Sequence, residues 1–379
     1  MTTPFGHEET VARAEHPEPT NGTPPATGTA PTDGTAPAGD PGTANGTVPY
    51  GAAPANGAAA TPPQTTQRQI GIWGATSAGK STFLSSIFFA TTRSTDHLMV
   101  WGNNDASTDF LVNNTETMTN RMFPPPTVDR AHLSWTIQMQ VRNRRRGLFR
   151  RGPEQVPFRF DLEIQDAGGL DFLASPQAGV VLDIGQDGAG ENIAAYLSRC
   201  TGLLMLLDPI REKERGDAYQ FFFGPLLRMA QLRQLPEGER LPHHVAICVT
   251  KFDDPRVFEY ARDRGLLSYS PSDPLFLPRV HENDSERFMR AIFQELKSSD
   301  IDLVLGGLRQ YFYEDRIKFF VSSSVGFFIG PSGQFRDDDY KNVAVTNDNK
   351  TRIRGAIRPI NVAEPLVWLG ERLAEQGQR

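Results

Sequence analysis

The chain has 379 residues, 38% of them hydrophobic and 22% charged, with a formal net charge of −6. This is enough chain to bury a large core, and the acidic balance argues against a general nucleic-acid binder and predicts no sequence-specific nucleic-acid binding. The two cysteines, Cys200 and Cys248, lie far apart on apolar segments and offer neither a disulfide framework nor a metal site.

The first 67 residues differ from the rest. From about Pro17 to Thr66 they are Pro, Thr, Gly, Ala and Asn with almost no large apolar side chain. Such a segment buries too little surface to offset its chain entropy, so residues 1–67 are expected to be a disordered tail and residues 68–379 one domain with insertions. No apolar run follows Met-Thr-Thr-Pro-Phe-Gly-His at the start, so a cleaved signal peptide is not expected. The apolar run at 203–207 is too short to cross a bilayer, and a cytoplasmic location is expected.

The first ordered element reads Ile70-Gly-Ile-Trp-Gly-Ala-Thr-Ser-Ala-Gly-Lys-Ser-Thr82. An apolar strand runs into Gly74-x-x-x-x-Gly79-Lys80-Ser81, the spacing of a phosphate-binding loop, and Phe83-Leu-Ser-Ser-Ile-Phe-Phe-Ala90 follows as a helix. A Gly-rich turn is the bland alternative, but a turn needs neither flank. The expected nucleotide contacts are Gly74, Ala75, Thr76, Ser77, Ala78, Gly79, Lys80, Ser81 and Thr82. Their N–H groups form an anion nest at the positive end of the helix, Lys80 reaches the β- and γ-phosphates, and the Ser81 hydroxyl ligates Mg²⁺.

Apolar residues then fall at every second position: Leu133, Trp135, Ile137, Met139 and Val141, followed by Phe158, Phe160, Leu162 and Ile164. Strict alternation means strands with one wet face. A polar connection joins them, which predicts an antiparallel hairpin at the edge of the sheet. Gly202-Leu-Leu-Met-Leu-Leu207 and Val245-Ala-Ile-Cys-Val249 are continuously apolar, as buried parallel strands are. The fold class is therefore α/β: a three-layer P-loop NTPase sandwich with a mixed, mostly parallel sheet. Helical spacing is read at 191–200, 219–235, 285–297 and 362–376, with Pro365 in a first turn.

Four further segments carry chemistry. The strand ending in Asp166-Ala-Gly-Gly169 fits an Asp-x-x-Gly box, with Asp166 reaching Mg²⁺ through a water and the Gly169 N–H meeting the γ-phosphate; taken alone it is also a β-turn sequence. Thr250-Lys251-Phe-Asp253 follows an apolar strand. A carboxylate accepts at both oxygens, matching the two adjacent donors of guanine that adenine lacks, and the Lys251 stem suits the base plane. Ile317-Lys-Phe-Phe-Val321 is a last parallel strand ending in Ser322-Ser323-Ser324, with Ser323 expected beside the base. The threonine that meets both Mg²⁺ and the γ-phosphate is assigned to Thr127, in Met122-Phe-Pro-Pro-Pro-Thr127, over Thr91, Thr92, Thr108 and Thr117.

With these segments in this order the chain resembles the TRAFAC GTPases, and more narrowly the bacterial double-GTPase-like group, over about residues 68–375. The resemblance rests on the loop at Ile72 to Thr82, Pro124-Pro-Pro-Thr127, Asp166-Ala-Gly-Gly169, Thr250-Lys-Phe-Asp253 and Asn361-Val-Ala-Glu-Pro-Leu-Val-Trp-Leu369. It implies GTP and GDP as ligands with Mg²⁺, catalytic roles for Lys80, Thr127 and Gly169, and a regulatory role toward an effector or activating protein in a bacterial signalling or conflict system. Gly169 is followed by Leu170, where Ras-like members place a water-positioning Gln. Thr76 also replaces a Gly common in small GTPases. Both departures imply slow unaided hydrolysis, and they keep open a second reading, a nucleotide-binding scaffold that barely hydrolyses. An ATP-using enzyme is the third, opposed by Asp253.

The run Arg142-Asn-Arg-Arg-Arg-Gly-Leu-Phe-Arg-Arg151 at the hairpin tip is a candidate contact for an acidic partner or a membrane surface, or simply a solvated loop that guards a sheet edge. A second copy of the chain is a candidate partner, with Arg145 a possible source of a cation in trans.

Overall fold

The computed structural model describes residues 68–75, 77–93, 98–125, 132–142, 155–165, 193–296 and 301–376, all within the compact unit Pro62–Arg379. The expected tail, Thr76, Thr127, the Asp166 to Leu170 box and the basic run beyond Arg142 lie outside the described residues.

The first half of the described chain builds β1 (Gln69–Gly74), α1 (Lys80–Thr91), β2 (Met99–Gly102), α2 (Asp105–Thr119), β3 (His132–Arg142), β4 (Gln155–Gln165), α3 (Ile193–Arg199) and β5 (Gly202–Leu207). After it come α4 (Pro209–Arg215), α5 (Ala218–Arg233), β6 (His244–Val249), α6 (Pro255–Asp263), β7 (Leu267–Tyr269), β8 (Pro278–Val280) and α7 (Ser285–Glu295). The chain closes with α8 (Ile301–Tyr311), β9 (Ile317–Val321), β10 (Val343–Val345), β11 (Thr351–Ile353) and α9 (Ala363–Gln376).

Seven strands form one sheet in the order β2-β3-β4-β1-β5-β6-β9. β4, β1, β5, β6 and β9 run parallel; β3 pairs antiparallel with β4, and β2 antiparallel with β3. The continuous apolar runs are the inner strands, with every residue of β5 and β6 buried. Their side chains divide between two cores. Leu203, Met205, Leu207, Val245, Ile247 and Val249 pack under α3, α5, α7 and α8, whereas Leu204, Leu206, Ala246 and Cys248 pack with Phe83 and Ile87 of α1 and Leu366 and Leu369 of α9. Each Val, Leu, Ile, Met or Phe among them contributes roughly 1.5–3 kcal/mol on removal from water. Helices on both faces make the three layers.

The hairpin of β3 and β4 pairs Leu133 with Ile164, Trp135 with Leu162, Ile137 with Phe160 and Val141 with Val156, so the alternating residues line one buried face. Its position corrects the expectation of an edge: β2 lies outside it, pairing Met99 with Gln138 and Gly102 with Trp135. Four residues are too few for a periodicity signal. Helix α2 was likewise not expected; it is capped by the Asn104 side chain, which accepts from the Ser107 N–H, and its Ser107 hydroxyl in turn accepts from the Ser134 backbone N–H at 2.8 Å. Cover from β2 and α2 explains why Ser134, on the supposedly wet face, is buried.

Among the described residues no helix is long and apolar enough to cross a membrane. Cys200 and Cys248 are free and buried, and burial pushes the Cys200 thiol up to about 12.

Candidate functional site

The phosphate loop leaves the C-terminal end of β1 between β4 and β5, at the centre of the sheet. Trp73 anchors the strand: it is fully buried, its indole N–H donates to the Phe221 carbonyl at 3.2 Å, and its ring meets Phe222 edge-on. Phe221 packs against Ala75 and Ala78, so the start of α5 supports the loop from behind. Gly74 must be small, because a Cβ there would lie 2.9 Å from the Leu206 carbonyl oxygen. Gly79 has φ +89°, a left-handed conformation that glycine adopts without strain, and it delivers the chain directly into α1. The Lys80 ammonium donates to the carbonyls of Gly74 and Ala75 at 3.1 and 3.2 Å, which places a buried cation inside the curl of the loop.

The base side starts where β6 ends. Thr250 ties it to the phosphate side: its hydroxyl lies 3.3 Å from the Ala78 carbonyl and 3.2 Å from the Leu207 carbonyl, and its N–H donates to Leu207 at 2.8 Å. Lys251 sits at φ +59°, with its ammonium 2.6 Å from Asp208 Oδ2. Asp208 is buried, and its other oxygen caps α4 by accepting from the N–H groups of Ile210 and Arg211. Anchoring the ammonium there stretches the Lys251 stem along the cleft wall. Phe252 points the opposite way, fully buried against Phe258, Phe288 and Phe327. Its burial turns the neighbouring Lys251 and Asp253 toward the cleft.

Asp253 accepts a short hydrogen bond from the Ser323 hydroxyl. Burial raises its carboxyl to about 6, against the lowering effect of that hydrogen bond. Asp254 next to it is held below the usual carboxylate range by Arg256, although burial opposes this, and it caps α6 through the Arg256 N–H. Ser323 is fully buried, so its role here is to orient Asp253; Ser324 is the serine that lines the cleft. The loop after β9 is fixed from outside. Ser323 and Ile360 exchange backbone hydrogen bonds at 3.0 and 2.8 Å, the Ser323 hydroxyl accepts from the Gly326 N–H, and a Cβ on Gly326 would lie 1.8 Å from the Arg358 carbonyl oxygen.

These parts meet in one cleft of about 960 Å³, near the upper end of the usual range for ligand sites. Ser77, Ala78, Gly79 and Thr82 line it from the phosphate side, and Thr250, Lys251 and Asp253 line it from the β6–α6 turn, with Thr250 where the two meet. Of the expected loop contacts, Thr76 lies outside the described residues, and Ser81 occupies the first turn of α1. Thr91, Thr92, Thr108 and Thr117 donate their hydroxyls to nearby backbone carbonyls, and none of the four lines the cleft. Sequence reasoning missed Asp208, the anchor of Lys251. It also missed the stretch after Ser324, whose Val343, Thr351 and Arg352 line the cleft. An Asp-Pro pair after an apolar strand, as at Asp208-Pro209 and Asp254-Pro255, was the available signal for a capped helix beside the site.

No family model matches the chain. No curated protein matches it. Solved structures that align with it include Sup35 complexed with GDP, at 12% identity and a TM-score of 0.25 over 68% of this chain and 37% of that one. Sup35 complexed with GMPPNP aligns at 12% identity and a TM-score of 0.27, over 70% and 41% of the two chains. The signal recognition particle receptor SRb-GTP/SRX complex from Chaetomium thermophilum aligns at 11% identity and a TM-score of 0.29, over 70% of this chain and 94% of that one. The chain thus spans well under half of either Sup35 chain, and TM-scores this low add nothing to the geometry.

Proposed function

We propose that the protein is a guanine-nucleotide-binding switch that hydrolyses GTP slowly. The observation that carries this reading is the convergence of the phosphate loop and Asp253 on one cleft, with Thr250 bonded to the Ala78 carbonyl between them. The loop supplies N–H donors and the Lys80 cation for the phosphates. Half-buried Asp253, oriented by Ser323, supplies the paired acceptor that guanine satisfies and adenine does not.

Magnesium fits the part of the site that is described: the Ser81 hydroxyl is a hard oxygen donor in the first turn of α1, beside Lys80. Thr127 and Asp166 are its proposed companions, and the ion, when bound, neutralises charge on the terminal phosphates. Gly169 is the proposed sensor of the γ-phosphate. Leu170 supplies no hydrogen bond to a water, so basal turnover is expected near the roughly 10⁻⁴ s⁻¹ of an unaided Ras-like site or below it. An effector or activating protein, in a cytoplasmic bacterial signalling or conflict system, belongs to the same proposal. A nucleotide-holding scaffold is favoured instead if turnover is nil, and Leu170 is the residue that keeps it in play.

Nucleotide released from the denatured, purified protein, followed by single-turnover hydrolysis of GTP, tests the reading. Guanine nucleotide with slow, saturable hydrolysis supports it. Adenine nucleotide in the protein overturns it.

A further inference from the structure

Between Ser323 and α9 the chain builds a wall that no motif announces. β10 and β11 pair antiparallel, Val343 opposite Ile353 and Val345 opposite Thr351. Their turn, Thr346-Asn-Asp-Asn349-Lys350, is closed by the Asn349 N–H donating to Thr346 at 2.8 Å and the Thr346 N–H to Lys350 at 2.9 Å, with Asn349 at φ +58°. Asn is among the residues that tolerate that conformation best.

The hairpin is fixed in place. Val343 and Ile353 pack with Met118 of α2, Phe89 of α1 and Phe123. The Ile353 N–H donates to the Arg121 carbonyl at 3.0 Å. Asn342, fully buried, donates to Val325 at 3.0 Å and accepts from the Gly355 N–H at 2.9 Å. These contacts set the hairpin on the α1 side of the cleft, the side that carries Thr82.

Lys341, Lys350 and Arg352 line the same cleft as the phosphate loop and Asp253. Lys350 lies 3.2 Å from Asp348, but both are mostly exposed, and such pairs are weak. Among the described residues Lys341 and Arg352 are in no ion pair. The carboxylates across the cleft have other partners, Ser323 for Asp253 and Arg256 for Asp254. The wall therefore carries positive charge that the protein's own carboxylates answer only in part. A nucleotide with its base at Asp253 and its phosphates in the loop would pass its ribose and α-phosphate along this wall, since the loop residues that reach the cleft are Ser77 to Gly79 and Thr82.

Resting on the guanine-nucleotide reading, we propose that the β10–β11 hairpin is a third wall of the nucleotide site, and that Lys341, Lys350 and Arg352 hold the inner phosphates and set the rate at which GDP leaves. The γ-phosphate is not part of this contact, so GDP and GTP are served alike.

The test compares dissociation of radiolabelled GDP and GTP from the unmodified chain and from Lys341→Ala, Lys350→Ala, Arg352→Ala and the triple variant, with calorimetry of guanosine alongside. Solvent-screened charge contacts, as at exposed Lys341 and Lys350 and half-exposed Arg352, are worth roughly tenfold each at most, so single variants should release both nucleotides about three- to tenfold faster and the triple variant more than about thirtyfold. Guanosine affinity should be unchanged, Arg352→Lys should recover part of the loss, and the salt dependence of release should flatten in the triple variant. A merely structural hairpin would not move the salt dependence. Unchanged GDP release from a folded triple variant overturns the proposal while leaving the nucleotide reading intact. An unmodified chain that binds no GDP overturns both.

Discussion

The two ends of the cleft are built by opposite strategies. The phosphate end is local: one strand, one loop and one helix within residues 69–91 supply its contacts, and Trp73 and Phe221 hold it from behind. The base end is assembled from three distant pieces, the β6–α6 turn, the loop after β9 and the strand-like segment at Ile360. Phosphate binding needs only backbone N–H groups and one cation, which a short motif encodes. Base discrimination needs a carboxylate aimed to within a hydrogen bond's tolerance, and the aim comes from packing: Phe252 in its aromatic nest and Ser323 on the carboxylate.

Lys80→Ala should break the phosphate end alone. Triphosphate affinity should fall by about a hundredfold or more, since a charge-assisted contact to phosphate in a loop shielded from water is lost. The fold should survive, because Lys80 donates to the Gly74 and Ala75 carbonyls inside the loop and is not part of either apolar core. Calorimetry of the variant, with its thermal unfolding as control, reads both, and retained affinity in a folded variant would remove the phosphate end from the account.

Asp253→Asn should break the base end while sparing the phosphates. An amide presents a donor to a guanine donor, and a mismatched polar pair costs about 1–3 kcal/mol, so GTP affinity should fall roughly ten- to hundredfold and XTP should gain. Phe252→Ala is the indirect version. It removes a fully buried aromatic, for which about 3–5 kcal/mol of stability is expected to be lost, and guanine preference should fall more than phosphate affinity. Chemical denaturation and competition between GDP and ADP separate the two effects.

A smaller effect comes from pH. Guanine binding needs the Asp253 carboxylate, and burial raises that group to about 6. Guanine-nucleotide affinity should therefore fall as pH drops through 6, about tenfold per unit below it, and the fall should be absent in Asp253→Asn. The fold itself responds in acid for another reason: burial pushes His243 and His244 down to about 4, so stability present near neutrality is lost as pH falls from about 6.5, the unfolded value, toward 4. Affinity and unfolding are to be measured on the same samples. An affinity that is flat from pH 7.5 to 5 while the fold persists would contradict the assigned role of Asp253.

The same contrast governs what could be read from the sequence. The phosphate loop, the alternating hairpin strands, the inner strands at 202–207 and 244–249 and the edge strand at 317–321 were legible, because each carries its signal within a few residues. β2, α2 and the β10–β11 hairpin were not: three- or four-residue strands show no period, and α2 owes its position to Ser107 bonding Ser134, a contact across 27 residues. The sequence places Ser323 beside the base through its backbone, and the structure adds that its side chain supports Asp253. No local pattern announces that second role.

Calorimetric titration of GDP against ADP into the full chain freed of bound nucleotide tests the guanine site. GDP is predicted to bind at least about a hundredfold more tightly than ADP, because only guanine satisfies both Asp253 oxygens where an unmatched carboxylate is costly. Equal affinity for the two would contradict the base end of the cleft, and with it the claim that this is a guanine-nucleotide site.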